Sequence, residues 1–149
     1  MSEVNTMPMI QLTLPEGVLD ADTRASLRTT LAATLLRWEG APDNAFFRSL
    51  AWCLIDEVDP SAFGSPEDDL PRFRVDVTVP QGALSDRRKA GLIEEVTRDV
   101  SAAAELGDAD SLRVWVLIHE QPEGTWGAAG NVIRFEELRA VAAASKDKP

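Results

Sequence analysis

Arg113 is the residue whose sequence surroundings ask most clearly for chemistry. It opens a predicted strand of apolar residues, and a buried guanidinium needs an anionic partner. That partner could be Glu120, Glu57, an acid of another subunit, or the carboxylate of a bound substrate, which arginine binds through two parallel hydrogen bonds. His119 has the same parity along the strand and projects from the same face, either as an interface histidine or as a proton relay.

Two further arginines, Arg72 and Arg74, lie on one face of another predicted strand. Charges with this spacing are typical of an exposed strand edge. The same side chains could instead bind an anion if that strand lay beside the chain at Pro8. Both interpretations remain open at this point.

Composition excludes several classes of function. The single cysteine, Cys53, cannot form an internal disulfide, and its apolar surroundings predict a buried thiol. With one histidine and no ligand spacing, neither a metal nor another cofactor is expected. A net charge of −10 disfavours nucleic acid but allows a small anionic substrate. No apolar run is long enough to span a membrane, and residues 1–6 do not resemble a secretory signal, so we expect a cytoplasmic protein.

Two parts of the sequence repeat each other. Trp52 matches Trp115 at an offset of 63 residues, and the same offset takes Pro8 to Pro71. The glycine-containing ends of the two opening strands match at an offset of 65 instead. The longer match around the tryptophans includes three more pairs: Leu54 with Leu117, Ile55 with Ile118, and Glu57 with Glu120.

Each repeat is predicted to run strand, helix, strand. Alternating apolar residues indicate the opening strands, and Asp20 and Ser85 are the predicted N-caps of the helices. We expect one domain over residues 1–149, with repeat one at 8–58 and repeat two at 71–135. A linker rich in Pro, Gly, Ser and acids occupies 59–70, and a short helix with a tail occupies 136–149.

The fold class that follows is α/β, of the α+β kind. Two fused β-α-β repeats form a four-stranded mixed sheet with two helices on one face. The strand that begins near Val114 is apolar on both sides, so the other face of the sheet must also be covered. The simplest cover is another copy of the chain, and we expect an oligomer.

Two β-α-β units that each open at a proline resemble the tautomerase superfamily. Its type member, 4-oxalocrotonate tautomerase (4-OT), is a single short unit whose N-terminal proline is a general base. Larger relatives, such as cis-3-chloroacrylic acid dehalogenase, carry two fused units and form trimers. The resemblance runs from Pro8 to about Phe135. Residues 111–114 resemble the strand start that holds a substrate-binding arginine in 4-OT, and residues 123–130 resemble its glycine-rich turn, with Trp126 as the aromatic wall of the site.

The sequence also departs from the family. Val18 and Ala83 stand where the short tautomerases carry a second arginine, and Leu50 replaces the strand arginine in the first repeat. The dehalogenase's remaining functional positions also hold other residue types, namely Gln81, Leu84, Leu36, Leu117 and Thr125. Hydrolytic dehalogenation is therefore not expected.

The resemblance implies a cofactor-independent tautomerase, an isomerase, that acts on a small 2-oxo or enol carboxylate. Pro8 would be the base and Trp126 the pocket wall, in a homotrimer. Substrate binding would fall to Arg113, with Arg72 and Arg74 as further candidates.

One chemical condition limits this implication. A proline nitrogen inside a peptide is an amide without basicity, and residues 1–7 precede Pro8. The chemistry requires a chain that begins at Pro8, as translation from Met7 and removal of that methionine would give. The alternative is a catalytically silent, oligomeric protein with a small-molecule-binding or structural role. A cofactor-free monooxygenase-like dimer would share the sheet but would not explain the prolines or the Trp126 turn.

Overall fold

The computed structural model describes residues 7–146, which contain ten helices and strands and two 3-10 turns. The strands are β1 (Met9–Pro15), β2 (Trp52–Val58), β3 (Phe73–Pro80), β4 (Val114–Gln121), β5 (Gly127–Ala128) and β6 (Asn131–Val132). The helices are α1 (Ala21–Glu39), α2 (Ala45–Leu50), α3 (Asp86–Ala103) and α4 (Phe135–Lys146). The 3-10 turns cover Pro60–Ala62 and Asp108–Arg113. The end of the predicted tail, 147–149, lies outside the described residues.

The main sheet has the strand order β2-β1-β3-β4. β1 pairs parallel with β2, β3 pairs parallel with β4, and β1 and β3 are antiparallel at the centre. Helices α1 and α3 cover one face and contact each other. This arrangement confirms the predicted mixed sheet with two helices on one face.

The two long helices begin at the predicted caps. The Asp20 carboxylate accepts a hydrogen bond from the Thr23 amide at 2.7 Å, and the Ser85 hydroxyl accepts one from the Arg88 amide at 3.2 Å. Each cap satisfies a helix-terminal N–H that has no intrahelical partner. The apolar stripe of each helix packs on the alternating buried residues of β1 and β3 in one core.

The strand register corrects the match between Pro8 and Pro71. Met9 lies opposite Trp52 in the first repeat, whereas Arg74 lies opposite Trp115 in the second. Because the two tryptophans correspond, Met9 corresponds to Arg74, at an offset of 65. The structural counterpart of Pro8 is therefore Phe73, and Pro71 stands two residues before it. The offset falls to 63 only after the helices, where two residues fewer connect α3 to β4.

Two elements were not predicted from the sequence. Helix α2 is only six residues long and is capped by the Asn44 side chain, which accepts from the Phe47 amide at 3.0 Å. The β5–β6 hairpin turns at Ala129 and Gly130, whose φ angles of 55° and 80° fit the two-residue turn that suits a right-twisted hairpin. Helix α4 begins at Phe135, one residue before the predicted tail helix.

The second face of the sheet is open in the single chain and carries large apolar side chains. Trp52 is 69% exposed, Trp115 65% and Leu54 56%. Three exposed residues of this size on one sheet face are more than scattered surface hydrophobics account for. Separately, none of the helices in residues 7–146 is long and apolar enough to cross a membrane.

Candidate functional site

Pro8 and Trp126 line one cavity of about 660 Å³, which we call the Pro8 cavity. It lies where β1 and β2 begin and β4 ends, because the two repeats run antiparallel at the sheet centre. Pro8 is buried, and its carbonyl accepts a hydrogen bond from the Trp52 amide at 3.4 Å. The other lining residues include Met7, Met9, Leu50, Trp52, Thr78 and Gln121. The sequence prediction that Trp126 stands near Pro8 thus agrees with this placement.

The turn after β4 holds Trp126 in place. The Gln121 side-chain amide donates to the Thr125 hydroxyl at 2.8 Å, and the Trp126 carbonyl accepts from the Ile133 amide at 2.8 Å. The Trp126 ring then meets Phe135 edge-on, with ring centroids 6.1 Å apart. Such edge-to-face pairs are favourable, so the start of α4 acts as the support for the cavity wall.

The carboxylate of Glu123 fastens this turn to α4. It accepts from the Phe135 amide at 3.0 Å and from the Gly124 amide at 3.3 Å. Because an acidic side chain at a helix N-terminus pairs with otherwise free N–H groups, it stabilises both the turn and the helix start. Glu123 is a positioning residue that the sequence reasoning placed in the turn without assigning it a role.

The Pro8 cavity is lined by uncharged residues. Its described lining contains no arginine, lysine, aspartate or glutamate. Met7 is 7% exposed and packs in an apolar cluster with Phe135 and Leu138. In the chain that carries Met7, the Pro8 nitrogen is an amide and cannot accept a proton.

Arg113 lies at the opposite end of the sheet from Pro8. It directly precedes Val114, which pairs with Phe73, whereas Pro8 adjoins the pair of Met9 with Thr78. Five to six strand residues separate the two places, a distance of roughly 20 Å. Within one chain, the structure does not bring Arg113 and Pro8 together.

The partners of Arg113 differ from those considered in the sequence. Its guanidinium donates to the Pro71 carbonyl at 2.8 Å and forms an ion pair with Asp110 at 3.3 Å. Its Nε atom is buried and has no hydrogen-bond partner among the described residues. Neither Glu57 nor Glu120 contacts it: Glu57 pairs with Arg24, and Glu120 with Lys89.

Arg72 and Arg74 line the same cavity as Arg113, about 870 Å³ in volume, which we call the arginine cavity. Arg72 binds both carboxylate oxygens of Asp68. Arg74 pairs with Asp76 at 3.0 Å. The expectation that these two arginines stand beside Pro8 is therefore wrong for the single chain, since β3 runs antiparallel to β1 and begins at the other end.

His119 and Cys53 have local structural partners. His119 Nε2 lies 2.8 Å from an Asp76 carboxylate oxygen on the open sheet face. Cys53 packs against the core, and burial raises the pKa of its thiol to about 11, with Arg28 opposing part of that rise. A thiol with this pKa is a poor nucleophile at neutral pH.

Several residues of the Pro8 cavity were not identified from the sequence. Thr78 and Gln121 reach it because the ends of β3 and β4 lie beside the start of β1. That contact depends on the antiparallel pairing of the two repeats. The β-α-β pattern alone does not fix which edges meet, so the signal was absent from either repeat taken by itself.

Comparison with known proteins gives the same fold and a family. Residues 74–136, which cover most of the second repeat, match the family described as Tautomerase enzyme. No curated protein matches the chain in sequence.

Solved structures resemble nearly the whole chain. A fused 4-OT, F6, solved as an asymmetric trimer, is 20% identical with a TM-score of 0.70, over 87% of this chain and 98% of its own. N1, a member of the cis-3-chloroacrylic acid dehalogenase family, is 20% identical with a TM-score of 0.70, over 94% and 99%. A macrophage migration inhibitory factor-like protein from Entamoeba histolytica is 13% identical with a TM-score of 0.69, over 85% and 99%.

The family match in the second repeat and the two-repeat fold over the whole chain lead to one assignment. The protein belongs to the tautomerase superfamily, in its fused form with two β-α-β repeats. Its general function is accordingly tautomerase-like.

Proposed function

We propose that the protein is a cofactor-independent tautomerase whose general base is the Pro8 amine, in chains that begin at Pro8. The observation that carries the proposal is that Pro8 and Trp126, contributed by different repeats, line one largely apolar cavity. The substrate is a small 2-oxo or enol carboxylate. The cavity of about 660 Å³ is large enough for a molecule of that size.

The reaction moves a proton between carbon and oxygen. A free secondary amine removes the proton from the carbon beside the carbonyl and returns it to the other tautomer. Because apolar surroundings disfavour the charged ammonium form, they lower the pKa of such an amine and keep it basic near neutral pH. Trp126 excludes water from the reacting atoms.

The substrate carboxylate needs a cation that the lining of the Pro8 cavity lacks. The role predicted for Arg113, Arg72 and Arg74 at Pro8 requires a neighbouring copy of the chain, since all three lie at the far end of their own sheet. Self-association is supported by the exposed apolar sheet face and by similar fused 4-OT structures solved as trimers. We propose a homotrimer on that basis. The cytoplasmic location remains a prediction.

A catalytically silent binding protein is the second candidate. It is favoured by Met7, which is 7% exposed and fills an apolar cluster directly before Pro8. A chain that keeps Met7 retains the fold and the cavity but has no base.

The experiment compares two chains. One begins at Met7 and is processed to Pro8, and the other carries residues 1–149; intact mass verifies each N-terminus. Ketonisation of 2-hydroxymuconate and of phenylpyruvate is followed by absorbance. The proposal expects activity only in the Pro8-initiated chain and its loss in Pro8→Ala. Equal rates in the Pro8-initiated chain and its Pro8→Ala variant would overturn the mechanism and leave the binding protein.

Arg113 is tested in mixed oligomers. Pro8→Ala and Arg113→Ala chains are each expected to be inactive alone. If Arg113 acts at Pro8 from a neighbouring copy, mixing them restores part of the activity, because some cavities then combine an intact Pro8 with an intact Arg113. A fully active Arg113→Ala chain would remove this residue from the site.

A further inference from the structure

We propose that Arg72, Arg74 and Arg113 form a second binding site, for a small organic anion, in the repeat that lacks the Pro8 base. This site is the arginine cavity, at the opposite end of the sheet from the Pro8 cavity. The inference does not depend on the proposed tautomerase activity.

The two cavities are counterparts within the repeat. The strand register matches the first opening strand to the second at an offset of 65 and the second strands at an offset of 63. Five lining residues of the Pro8 cavity then have counterparts that all line the arginine cavity: Met7 with Arg72, Pro8 with Phe73, Met9 with Arg74, Leu50 with Arg113, and Trp52 with Trp115.

The substitutions between counterparts change the chemistry in one direction. Three apolar side chains of the first cavity are replaced by three arginines, while the tryptophan is kept. The proline is replaced by Phe73, which is 1% exposed and belongs to the core. The second cavity has therefore exchanged the place of a base for a set of cations that suit an anion.

The Asp68 side chain indicates how a carboxylate fits these arginines. Both of its oxygens accept from the Arg72 guanidinium, the fork geometry that arginine uses for carboxylates. The hydrogen bond from Arg72 is the main reason that the pKa of Asp68 is lowered, and the charge of Arg113 adds to it. Asp68 belongs to the linker and its side chain is 35% exposed, so an external carboxylate can take its place.

The charge balance leaves room for a ligand. The described lining holds three arginines against two acids, Asp68 and Asp110. Arg113 also has a buried Nε without a hydrogen-bond partner, an unmet donor that disfavours the empty site. The excess positive charge and the free donor favour a monoanion.

The apolar part of the lining defines the rest of the ligand. Trp115 is 65% exposed and Leu112 is 82% exposed, and both line the cavity beside the arginines. A flat apolar body can stack on the indole while its carboxylate meets the guanidinium groups. The ligand class is therefore a small aromatic or aliphatic monocarboxylate.

Benzoate is the probe, and benzamide is its neutral analogue of the same shape. Calorimetric titration of the full chain at low salt is expected to show benzoate binding, and none for benzamide. Arg72→Gln should weaken binding about tenfold or more, since a hydrogen-bonded charge pair is lost. Asp68→Asn should tighten binding, because it removes the competing carboxylate. Arg98→Gln, an exposed arginine on α3 paired with Glu94, is the control with the same charge change.

Two results would overturn the proposal. One is equal affinity for benzoate and benzamide, or equal effects of Arg72→Gln and Arg98→Gln. The other is binding that falls in Trp126→Ala and not in Arg72→Gln, which would place benzoate in the Pro8 cavity. Arg113→Lys keeps the charge but loses the fork, and it is expected to weaken binding less than Arg113→Gln. Circular dichroism and unfolding temperature verify that each variant is folded.

Discussion

Phe73 occupies in the second repeat the structural place that Pro8 occupies in the first. The register of β1 with β2 and of β3 with β4 fixes this correspondence, and it leaves Pro71 two residues before the strand. Pro71 contributes a backbone carbonyl to Arg113 instead of a ring to a cavity. The two halves have thus kept the β-α-β unit and separated their chemistry, with the only candidate base in the first half.

Replacing Phe73 tests that correspondence. Phe73→Ala should lower the free energy of unfolding by about 3–5 kcal/mol, because a fully buried ring leaves a cavity in the core. Pro71→Ala should change it by less than about 1 kcal/mol, since any residue supplies the carbonyl that Arg113 binds. Urea unfolding of both variants measures the difference. A larger loss for Pro71→Ala would contradict the register.

The sequence predicted those features that depend on local patterns. Alternating residues such as Ile10 and Val75 placed the central strands, and Asp20 and Ser85 placed the helix starts, because capping and periodicity are properties of short segments. The Pro8–Pro71 match failed because an offset counted along the chain cannot locate two residues missing between α3 and β4. The separation of Arg113 from Pro8 followed from the antiparallel pairing of the repeats, which is a tertiary property.

Glu39 should make stability depend on pH. Its carboxyl group is fully buried, neither oxygen has a hydrogen-bond partner among the described residues, and burial raises the pKa of Glu39 well above its usual value of 4.5. The only printed contact of the residue with a cation is through its backbone carbonyl, which accepts from Arg88 at 3.4 Å.

The sign follows from proton linkage. Above about pH 4.5 the unfolded chain loses the Glu39 proton while the folded chain keeps it, so stability falls by about 1.4 kcal/mol per pH unit until the folded pKa is reached. Glu39→Gln does not titrate, and its stability relative to the unsubstituted chain should rise with pH over that window. Unfolding measured from pH 4 to pH 8 gives the slopes, with the exposed Glu94→Gln as control. Parallel curves for the chain and Glu39→Gln would show that no proton is retained.

Gly91 should be intolerant of a side chain although it lies within a helix. A Cβ atom at this position would come 2.1 Å from the ring of Trp38, where α1 crosses α3. Alanine normally favours a helix over glycine by about 1 kcal/mol, but overpacking costs about 1–3 kcal/mol. Gly91→Ala should therefore be destabilising, and Trp38→Leu in the same chain should remove most of that loss. Gly107→Ala, which meets no atom within 4 Å, is the control and should be neutral.

The Cys53 thiol should react slowly in the folded protein. Burial raises its pKa from 9.0 to about 11, so at pH 8 the thiolate fraction is about a hundredfold smaller than that of a free thiol. Alkylation by iodoacetamide, followed by mass spectrometry, should be at least that much slower in native protein than in urea. Arg28→Gln should slow it further, because the Arg28 charge favours the thiolate. Equal native and unfolded rates would place Cys53 on the surface.

The open face of the sheet should carry the contacts that hold copies of the chain together. Leu54 and Trp115 are exposed there, and a lysine placed among them would leave an unpaired charge in any interface that covers the face. Leu54→Lys should shift the protein toward monomers in sedimentation experiments at micromolar concentration. Ile93→Lys changes a 39% exposed apolar residue on α3 by the same charge and should leave the assembly intact. If Leu54→Lys assembles like the unsubstituted chain while Ile93→Lys dissociates, the helices and not the sheet form the interface. Since Trp52 and Trp115 lie on this face and also line the two cavities, dissociation should alter ligand binding in both.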